Sequence, residues 1–253
     1  MKMIHANCRI QFTAEDIEFI LSVLGPKAGT SDTLIKLLTD EESRDLILDD
    51  PELLRALLER RDCLRVSTHF YFYILIRQTF IKSDLTDRSV ADYVAEVLSE
   101  FARTERTQCV VPGKPQPLDY FFEMVAALQN ATDTTRFFLR MHIGNHSLFL
   151  SGVFAQRIRY RAEQRGAPGL SYYENLGRSN FRLASDHRLA QRFQLDGVFS
   201  TLADRFEATR NALSDVSERL FTLGDPALNL GAVFGAGDDS EEVVGPDSGQ
   251  TTS

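Results

Sequence analysis

The chain has 253 residues, 43% of them hydrophobic, so it can bury a sizeable core without disulfide bonds or a structural metal. Its net charge of −8 contrasts with the strongly basic balance of typical nucleic-acid-binding domains. The three cysteines are widely spaced and contain no CxxC pair (Cys8, Cys63 and Cys109). This pattern fits neither a disulfide framework nor a zinc-ligand set, and it favours a reducing compartment.

The sequence also lacks the patterns of targeting and membrane segments. Residues 1–16 contain no continuous apolar stretch and no small-residue cleavage site, so no signal peptide is predicted. The longest uninterrupted apolar run, residues 70–76, is far shorter than the roughly 18 residues that a membrane span needs. We therefore expect a soluble cytoplasmic protein that has no membrane as a partner.

Charge is unevenly distributed along the chain. Residues 1–135 carry 15 basic and 22 acidic residues, whereas residues 136–192 carry 10 arginines and three acids. Residues 193–235 have three basic and six acidic residues, and residues 236–253 have five acids and no Lys or Arg. An arginine-rich segment thus lies in an acidic protein. Arginine can bind carboxylates and phosphates through two parallel hydrogen bonds, which lysine cannot do.

Helical periodicity dominates the first half of the chain. Residues 13–24 form an amphipathic pattern, and residues 31–64 resemble two or three short helices with Pro51 at a helix start. Residues 67–80, STHFYFYILIRQTF, are apolar all round, which in a helix means burial on several sides. A β-strand is the second interpretation of that stretch. Residues 86–104 return to a helical period.

Helical patterns continue in the second half, after a breaker cluster, VPGKPQP, at residues 111–117. We predict an all-α, single-domain bundle of about 8–10 helices, in which residues 1–235 form the helical domain and 111–117 is a loop between two half-bundles. Residues 236–253 lack periodicity and are rich in Gly, Asp, Glu, Ser and Thr. They are predicted to form a disordered acidic tail.

Two histidines stand four residues apart in RFFLRMHIGNHSLFLSG, residues 136–152. At roughly 100° per residue, His142 and His146 share an apolar helix face with Phe149, and Asn145 lies at the edge of that face. Both imidazoles are therefore predicted to point into the protein.

The next helical pattern, residues 171–193, also places polar groups on its apolar face. Asn180 and His187 align with Leu176, and Tyr173 flanks them. Because only a short turn separates the two helices, we expect them to pack antiparallel. Six side chains would then meet in a buried polar cluster: His142, Asn145, His146, Tyr173, Asn180 and His187.

Several interpretations of this cluster are open. It could bind an organic ligand in an enzyme, or a metal ion, with His142, His146 and His187 as weak ligand candidates. Against an enzyme, the chain has no HExxH, ExxH, GxSxG, GxGxxG or P-loop motif. The alternative that the sequence favours is structural: a tyrosine hydroxyl, a backbone carbonyl or water satisfies each polar group. We assign no catalytic residue, cofactor or metal.

Arginines at four-residue spacing predict an exposed stripe on one helix, formed by Arg157, Arg161 and Arg165. The following helix adds three more candidates for partner binding: Arg178, Arg182 and Arg192. These arginines could bind a protein partner or a second copy of the chain. They could instead pair with acids of this chain, in the helices of residues 40–62 or in the tail. Phosphate or nucleic acid is a less favoured partner.

The sequence therefore favours a non-enzymatic cytoplasmic interaction or regulatory module that binds a protein partner, or itself as a homodimer, through arginine-rich helices. A ligand- or metal-binding enzyme built on the His/Asn/Tyr cluster is the second hypothesis. Nucleic-acid binding by the arginine stripe is the third.

Overall fold

Helices account for nearly all the regular structure of the computed structural model. It describes residues 3–28, 31–59, 65–101, 109, 118 and 120–222. These residues form thirteen α-helices and one 3-10 helix, without a β-strand, so the predicted all-α class is confirmed. Among the described residues, β-type pairing is limited to one isolated antiparallel bridge, between Cys109 and Leu118.

The residues before 102 form a 3-10 helix (Cys8–Gln11) and six α-helices: α1 (Ala14–Ala28), α2 (Ser31–Thr39), α3 (Glu41–Leu48), α4 (Pro51–Glu59), α5 (Thr68–Lys82) and α6 (Arg88–Phe101). Side chains cap several of them. The Ser67 hydroxyl accepts a hydrogen bond from the backbone N–H of Phe70 at 3.1 Å at the start of α5. Asp40 accepts one from the N–H of Ser43 at 2.9 Å at the start of α3.

The residues after 119 form seven more: α7 (Phe121–Gln129), α8 (Asp133–Val153), α9 (Ala155–Arg165), α10 (Leu170–Ser185), α11 (Arg188–Arg192), α12 (Asp196–Asp204) and α13 (Phe206–Thr222). The helices are more numerous than predicted because long periodic stretches break at single residues. Phe154 separates α8 from α9, and Arg205 separates α12 from α13. Neither residue is Gly or Pro, so the sequence pattern does not reveal these breaks.

The surroundings of α5 explain why its sequence has no amphipathic period. Every residue from Phe70 to Phe80 is buried, and α5 packs against the 3-10 helix, α4, α6 and α13. A helix that is covered on all sides has no polar face to show in its sequence. The predicted burial is confirmed, and the strand interpretation of this stretch is wrong.

Glycines allow the helices of the second half to approach closely. Helices α8 and α10 run antiparallel, with Gly144 against Phe181 and Ser147 against Gly177. Farther along α8, a Cβ atom added at Gly152 would lie 2.6 Å from Cβ of Leu213 in α13. These three glycines therefore set the spacing between α8 and the two helices that cover it.

The main buried apolar cluster extends from Ile4 to Val216 and includes residues from both sides of 102–117. A smaller cluster contains Cys109 and packs against α8. Cys8 and Cys109 are buried free thiols, and burial raises the pKa of the Cys109 thiol to about 11. Buried protonated thiols of this kind act as small apolar side chains.

Other predictions fall outside the described residues. These include the loop at 111–117 and the tail at 236–253. The assignment of residues 1–235 to one domain stays a prediction. Among the helices that the structure describes, none has the length and apolar character required to cross a bilayer.

Candidate binding site

The two histidines of α8 are buried, as the helical period predicts. Their ring centroids are 5.7 Å apart. Phe101 of α6 contacts both, at centroid distances of 5.9 Å to His142 and 6.0 Å to His146. Phe121 of α7 lies 5.0 Å from the His146 ring. The pair is therefore packed among aromatic rings contributed by two other helices.

Burial strongly favours the neutral form of His146. Desolvation, with a smaller contribution from His142, lowers the pKa of His146 to about 3. Its Nδ1 atom is buried and forms no hydrogen bond with a described residue. A ring that stays neutral from pH 5 to 8 is poorly suited to general acid–base catalysis near pH 7.

The two asparagines of the predicted cluster bind different partners. Tyr93 of α6 donates a hydrogen bond from its hydroxyl to Oδ1 of Asn145 at 3.0 Å. Asn180 donates from Nδ2 to the carbonyl of Leu176 in its own helix at 2.8 Å. Each contact satisfies one atom of a buried amide, whereas Nδ2 of Asn145 is buried and has no hydrogen-bond partner among the described residues.

His187 lies at the other end of α8. Helix α10 ends at Ser185, and His187 caps α11 by accepting a hydrogen bond at Nδ1 from the N–H of Leu189 at 3.1 Å. Its Nε2 atom is 3.1 Å from a carboxylate oxygen of Asp133, and its ring stacks on Phe137 at 5.0 Å. The prediction of one continuous helix over residues 171–193 is therefore wrong at its C-terminal end. A histidine that caps a helix leaves the face on which periodicity places it.

A shared metal site does not follow from these positions. The structure brings His142 and His146 together but places His187 beside Asp133. In the part of the chain that it describes, no group of three or more His, Cys, Asp or Glu side chains is arranged to hold a metal ion. The three weak metal candidates therefore do not form one nitrogen-ligand set.

Tyr173 connects the histidine pair to the protein surface. Its ring meets Phe121 edge-on at 5.8 Å, and Phe121 in turn contacts His146. Tyr173 also lines a cavity of about 90 Å³. Burial raises the pKa of the Tyr173 hydroxyl, while the charge of Arg161 opposes that rise. The phenol is therefore protonated at neutral pH and lies within electrostatic range of a guanidinium.

We name this cavity the α9 groove, because it lies where the end of α8, helix α9 and the start of α10 meet. Its main lining residues are Leu150, Phe154, Arg157, Ile158, Arg161 and Tyr173. Gly166, with a φ angle of 63°, ends α9 and turns the chain so that Ala167 and Pro168 complete the wall. One water needs about 10–15 Å³, so the groove can take an apolar side chain or a small organic group.

The spacing of residues in α9 explains why arginines line a mainly apolar groove. Phe154, Ile158 and Arg161 follow one another at i, i+4 and i+7, so they share one face of α9. Arg157 and Arg161 are half-buried, and only Arg165 of the predicted stripe is exposed. The expectation of a fully exposed stripe is therefore corrected.

Arg161 carries the clearest polar feature of the groove. Its Nε atom is buried and forms no hydrogen bond with a described residue. A buried N–H without an acceptor costs about 1–3 kcal/mol, and a carboxylate oxygen is a strong acceptor for a guanidinium. The groove thus combines an apolar wall with a guanidinium whose Nε has no acceptor in the part of the chain that the structure describes.

The other three candidate arginines lie outside the groove. Arg178, Arg182 and Arg192 are exposed. Arg182 forms an ion pair with Asp204 and donates to the hydroxyl of Ser200 at 3.1 Å. The guanidinium of Arg192 lies over the ring of the adjacent Phe193. The six predicted residues therefore divide into two groove residues and four exposed cations.

Sequence reasoning missed a network of paired charges in the first half. Arg77 of α5 donates from Nε and Nη2 to the carboxylate of Asp49 at 2.6 and 2.9 Å. Arg88 donates to the same carboxylate at 2.7 Å, and Arg9 pairs with Asp45. The available signal was Arg77, a cation inside an otherwise apolar helix. These contacts show that Asp45 and Asp49 bind nearby arginines of the first half.

Comparison with known proteins assigns no relative. No family model matches the chain, and neither a curated protein nor a solved structure is significantly similar to it.

Proposed function

We propose that the chain is a non-enzymatic helical interaction module that acts in the cytoplasm and binds an acidic segment of a partner protein in the α9 groove. The observation that carries the proposal concerns Arg161, which lines a mainly apolar cavity and whose buried Nε has no acceptor among the described residues. A carboxylate at this position would supply the missing acceptor.

The residues that line the groove indicate which other chemical group a ligand with such a carboxylate should carry. Leu150, Phe154 and Ile158 form an apolar surface next to Arg157 and Arg161. A ligand that buries one apolar side chain and presents acids beside it would satisfy both parts of the site. Apolar burial contributes about 25 cal/mol per Å², and the charged contacts set the orientation and the partner.

A peptide segment suits the site better than a small free ligand. The cavity of about 90 Å³ holds only a group of side-chain size, whereas the cationic surface continues beyond it through exposed Arg165. A peptide can place one side chain in the cavity while its neighbouring acids contact the outer arginine. This distribution of contacts resembles an anchor residue with a polar rim.

The proposal can be tested by fluorescence polarisation with the full-length chain. The probe is a labelled synthetic peptide that contains one Phe followed by four acidic residues, titrated to about a millimolar, and the comparison peptide carries amides in place of the acids. We expect the acidic peptide to bind more tightly. We also expect Arg161→Gln to weaken its binding roughly tenfold, because one charge-assisted hydrogen bond is lost.

Arg192→Gln is the matched control, since Arg192 is exposed and lies outside the groove. Its affinity for the acidic peptide should stay within about twofold of the unaltered chain, as expected for a solvated charge. Equal binding of the acidic and amide peptides would overturn the proposal. So would an affinity for mixed-sequence RNA that exceeds the affinity for the acidic peptide.

A further inference from the structure

A second and larger cavity adjoins the α9 groove. It measures about 410 Å³ and lies between α9 and α13, where Phe154 and Arg157 line both cavities. Its other lining residues include Gln156, Ser217 and Glu218. The two cavities therefore follow one another along α9, with a phenyl ring and a guanidinium at their boundary.

The end of α13 lines this second cavity and is hydrogen-bonded to residues at the junction of α8 and α9. The Ser217 hydroxyl donates to the carbonyl of Val153 at 2.7 Å, and Gln156 donates to the carboxylate of Glu218 at 3.2 Å. Helix α13 ends at Thr222, about one turn beyond Glu218. The chain that follows α13 therefore starts close to the second cavity.

The sequence after α13 has the composition that the two cavities would accept. Residues 228–242, LNLGAVFGAGDDSEE, begin with Leu228, Leu230, Val233 and Phe234 and continue with four acids and no cation. An extended chain covers about 3.3 Å per residue, so the dozen or so residues from Thr222 to Phe234 can reach along α9. Apolar and acidic groups occur here in the order that a chain running from the second cavity to the groove requires.

We propose that residues 228–242 of the same molecule bind along α9, with apolar side chains in the two cavities and acids at Arg157, Arg161 and Arg165. This inference rests on the proposed function, because it assigns an internal competitor to the same groove. A segment tethered at this distance has an effective concentration on the order of a millimolar. An acidic segment of another protein must then displace it, so the chain regulates its own binding site.

The first test neutralises the acids of the segment in the full-length chain, with Asp238→Asn, Asp239→Asn, Glu241→Gln and Glu242→Gln combined. The labelled Phe-containing acidic peptide should then bind about tenfold more tightly than to the unaltered chain. The control carries the same charge change on exposed acids of the first helices: Glu18→Gln, Glu41→Gln, Glu42→Gln and Glu59→Gln. Its affinity should rise no more than about twofold.

The second test locates the segment directly. A photoreactive benzoylphenylalanine replaces Ala167 at the groove wall, and the chain is irradiated as a mixture of ¹⁴N- and ¹⁵N-labelled molecules. Adducts to residues 228–242 that contain a single isotope are expected. Mixed-isotope adducts would show that a second copy occupies the groove, and the absence of adducts to the segment would also overturn the inference.

The two proposals fail in different ways. If Arg161→Gln weakens peptide binding but neutralising the segment leaves it unchanged, the groove binds acidic partners without internal competition, and the present inference is wrong. If Arg161→Gln has no effect in either background, the proposed function is wrong as well.

Discussion

Two arginine sites, one in each half of the molecule, differ in their hydrogen-bond partners. Before residue 102, Arg77 and Arg88 bind the same carboxylate of Asp49, at N–O distances of 2.6 and 2.7 Å. In α9, Arg161 is half-buried, yet its Nε atom has no acceptor among the described residues. Arg77 and Arg88 therefore stabilise the fold through Asp49, whereas the Nε of Arg161 is the donor to which we propose that a ligand binds.

The two regions also differ in how their helices are held together. In the first half, Arg9 joins the 3-10 helix to α3 and α6 through Asp45 and Asp92. In the second, Gly144, Gly152 and Gly177 let α8 approach α10 and α13 closely. Arg210 of α13 also pairs with Glu174 of α10 at 2.6 Å, so the second half combines close packing at glycines with an ion pair between helices.

Removal of the Arg77 guanidinium should have the largest effect on stability. Arg77→Ala leaves the Asp49 carboxylate without its two-pronged partner, and loss of one member of a buried ion pair costs about 3–5 kcal/mol. Urea unfolding measures the change. Arg182→Ala, which breaks an exposed pair with Asp204, should cost less than about 1 kcal/mol. Equal losses in the two variants would show that burial of the Arg77–Asp49 pair adds nothing to its contribution.

Gly152→Ala tests the close packing of the second half. The new Cβ would lie 2.6 Å from Cβ of Leu213, an atom bonded directly to the backbone, so α8 and α13 must move apart. We expect a loss of about 1–3 kcal/mol in the free energy of unfolding. Gly197→Ala in α12 is the control, because nothing lies within 4 Å of its added Cβ. That variant should gain up to about 1 kcal/mol from helix propensity.

His146 makes the stability of the second half sensitive to acid. Its pKa is about 3 in the folded chain, against 6.5 for an ordinary histidine. As pH falls below 6.5, the unfolded chain takes up a proton before the folded chain does, so stability decreases, by about 2 kcal/mol at pH 5. Unfolding at pH 7.5 and pH 5 should therefore show a smaller acid-induced loss for His146→Phe. The same loss in both proteins would rule out this role for His146.

A buried hydrogen bond that joins the two halves gives the smallest expected effect. Tyr93→Phe removes the donor to Asn145, which leaves a buried amide oxygen unsatisfied and costs about 1–2 kcal/mol. Tyr73→Phe is the matched control, because the buried Tyr73 hydroxyl has no hydrogen-bond partner among the described residues. Its free energy of unfolding should not fall, because no hydrogen bond is lost and an unsatisfied buried hydroxyl is removed. If Tyr73→Phe costs as much as Tyr93→Phe, the Asn145 contact adds no stability.

Local periodicity predicted much of the fold and part of the site. The all-apolar pattern of residues 70–80 indicated a helix covered on all sides, and α5 is one. The apolar face of residues 136–152 indicated that His142 and His146 are buried, and both are. Each inference depends only on which side chains share a face, and the 3.6-residue period determines that within one segment.

Helical periodicity did not predict the position of His187. Its predicted face depended on an uninterrupted helix, but the ring caps α11 and contacts Asp133 of α8. When a side chain caps a helix, its hydrogen bond to a backbone N–H replaces one within the helix at little difference in free energy. Contacts with residues distant in sequence therefore decide whether the helix continues or ends.

The sequence by itself determined the helical class, the burial of α5 and α8, and the concentration of arginine in residues 136–192. Only the tertiary structure decided that Asp49 pairs with Arg77 and that Arg161 enters an apolar groove. The reason is physical. Helix formation and the choice of its buried face are local properties of the chain, whereas ion pairs and cavities depend on how separate helices are placed in space.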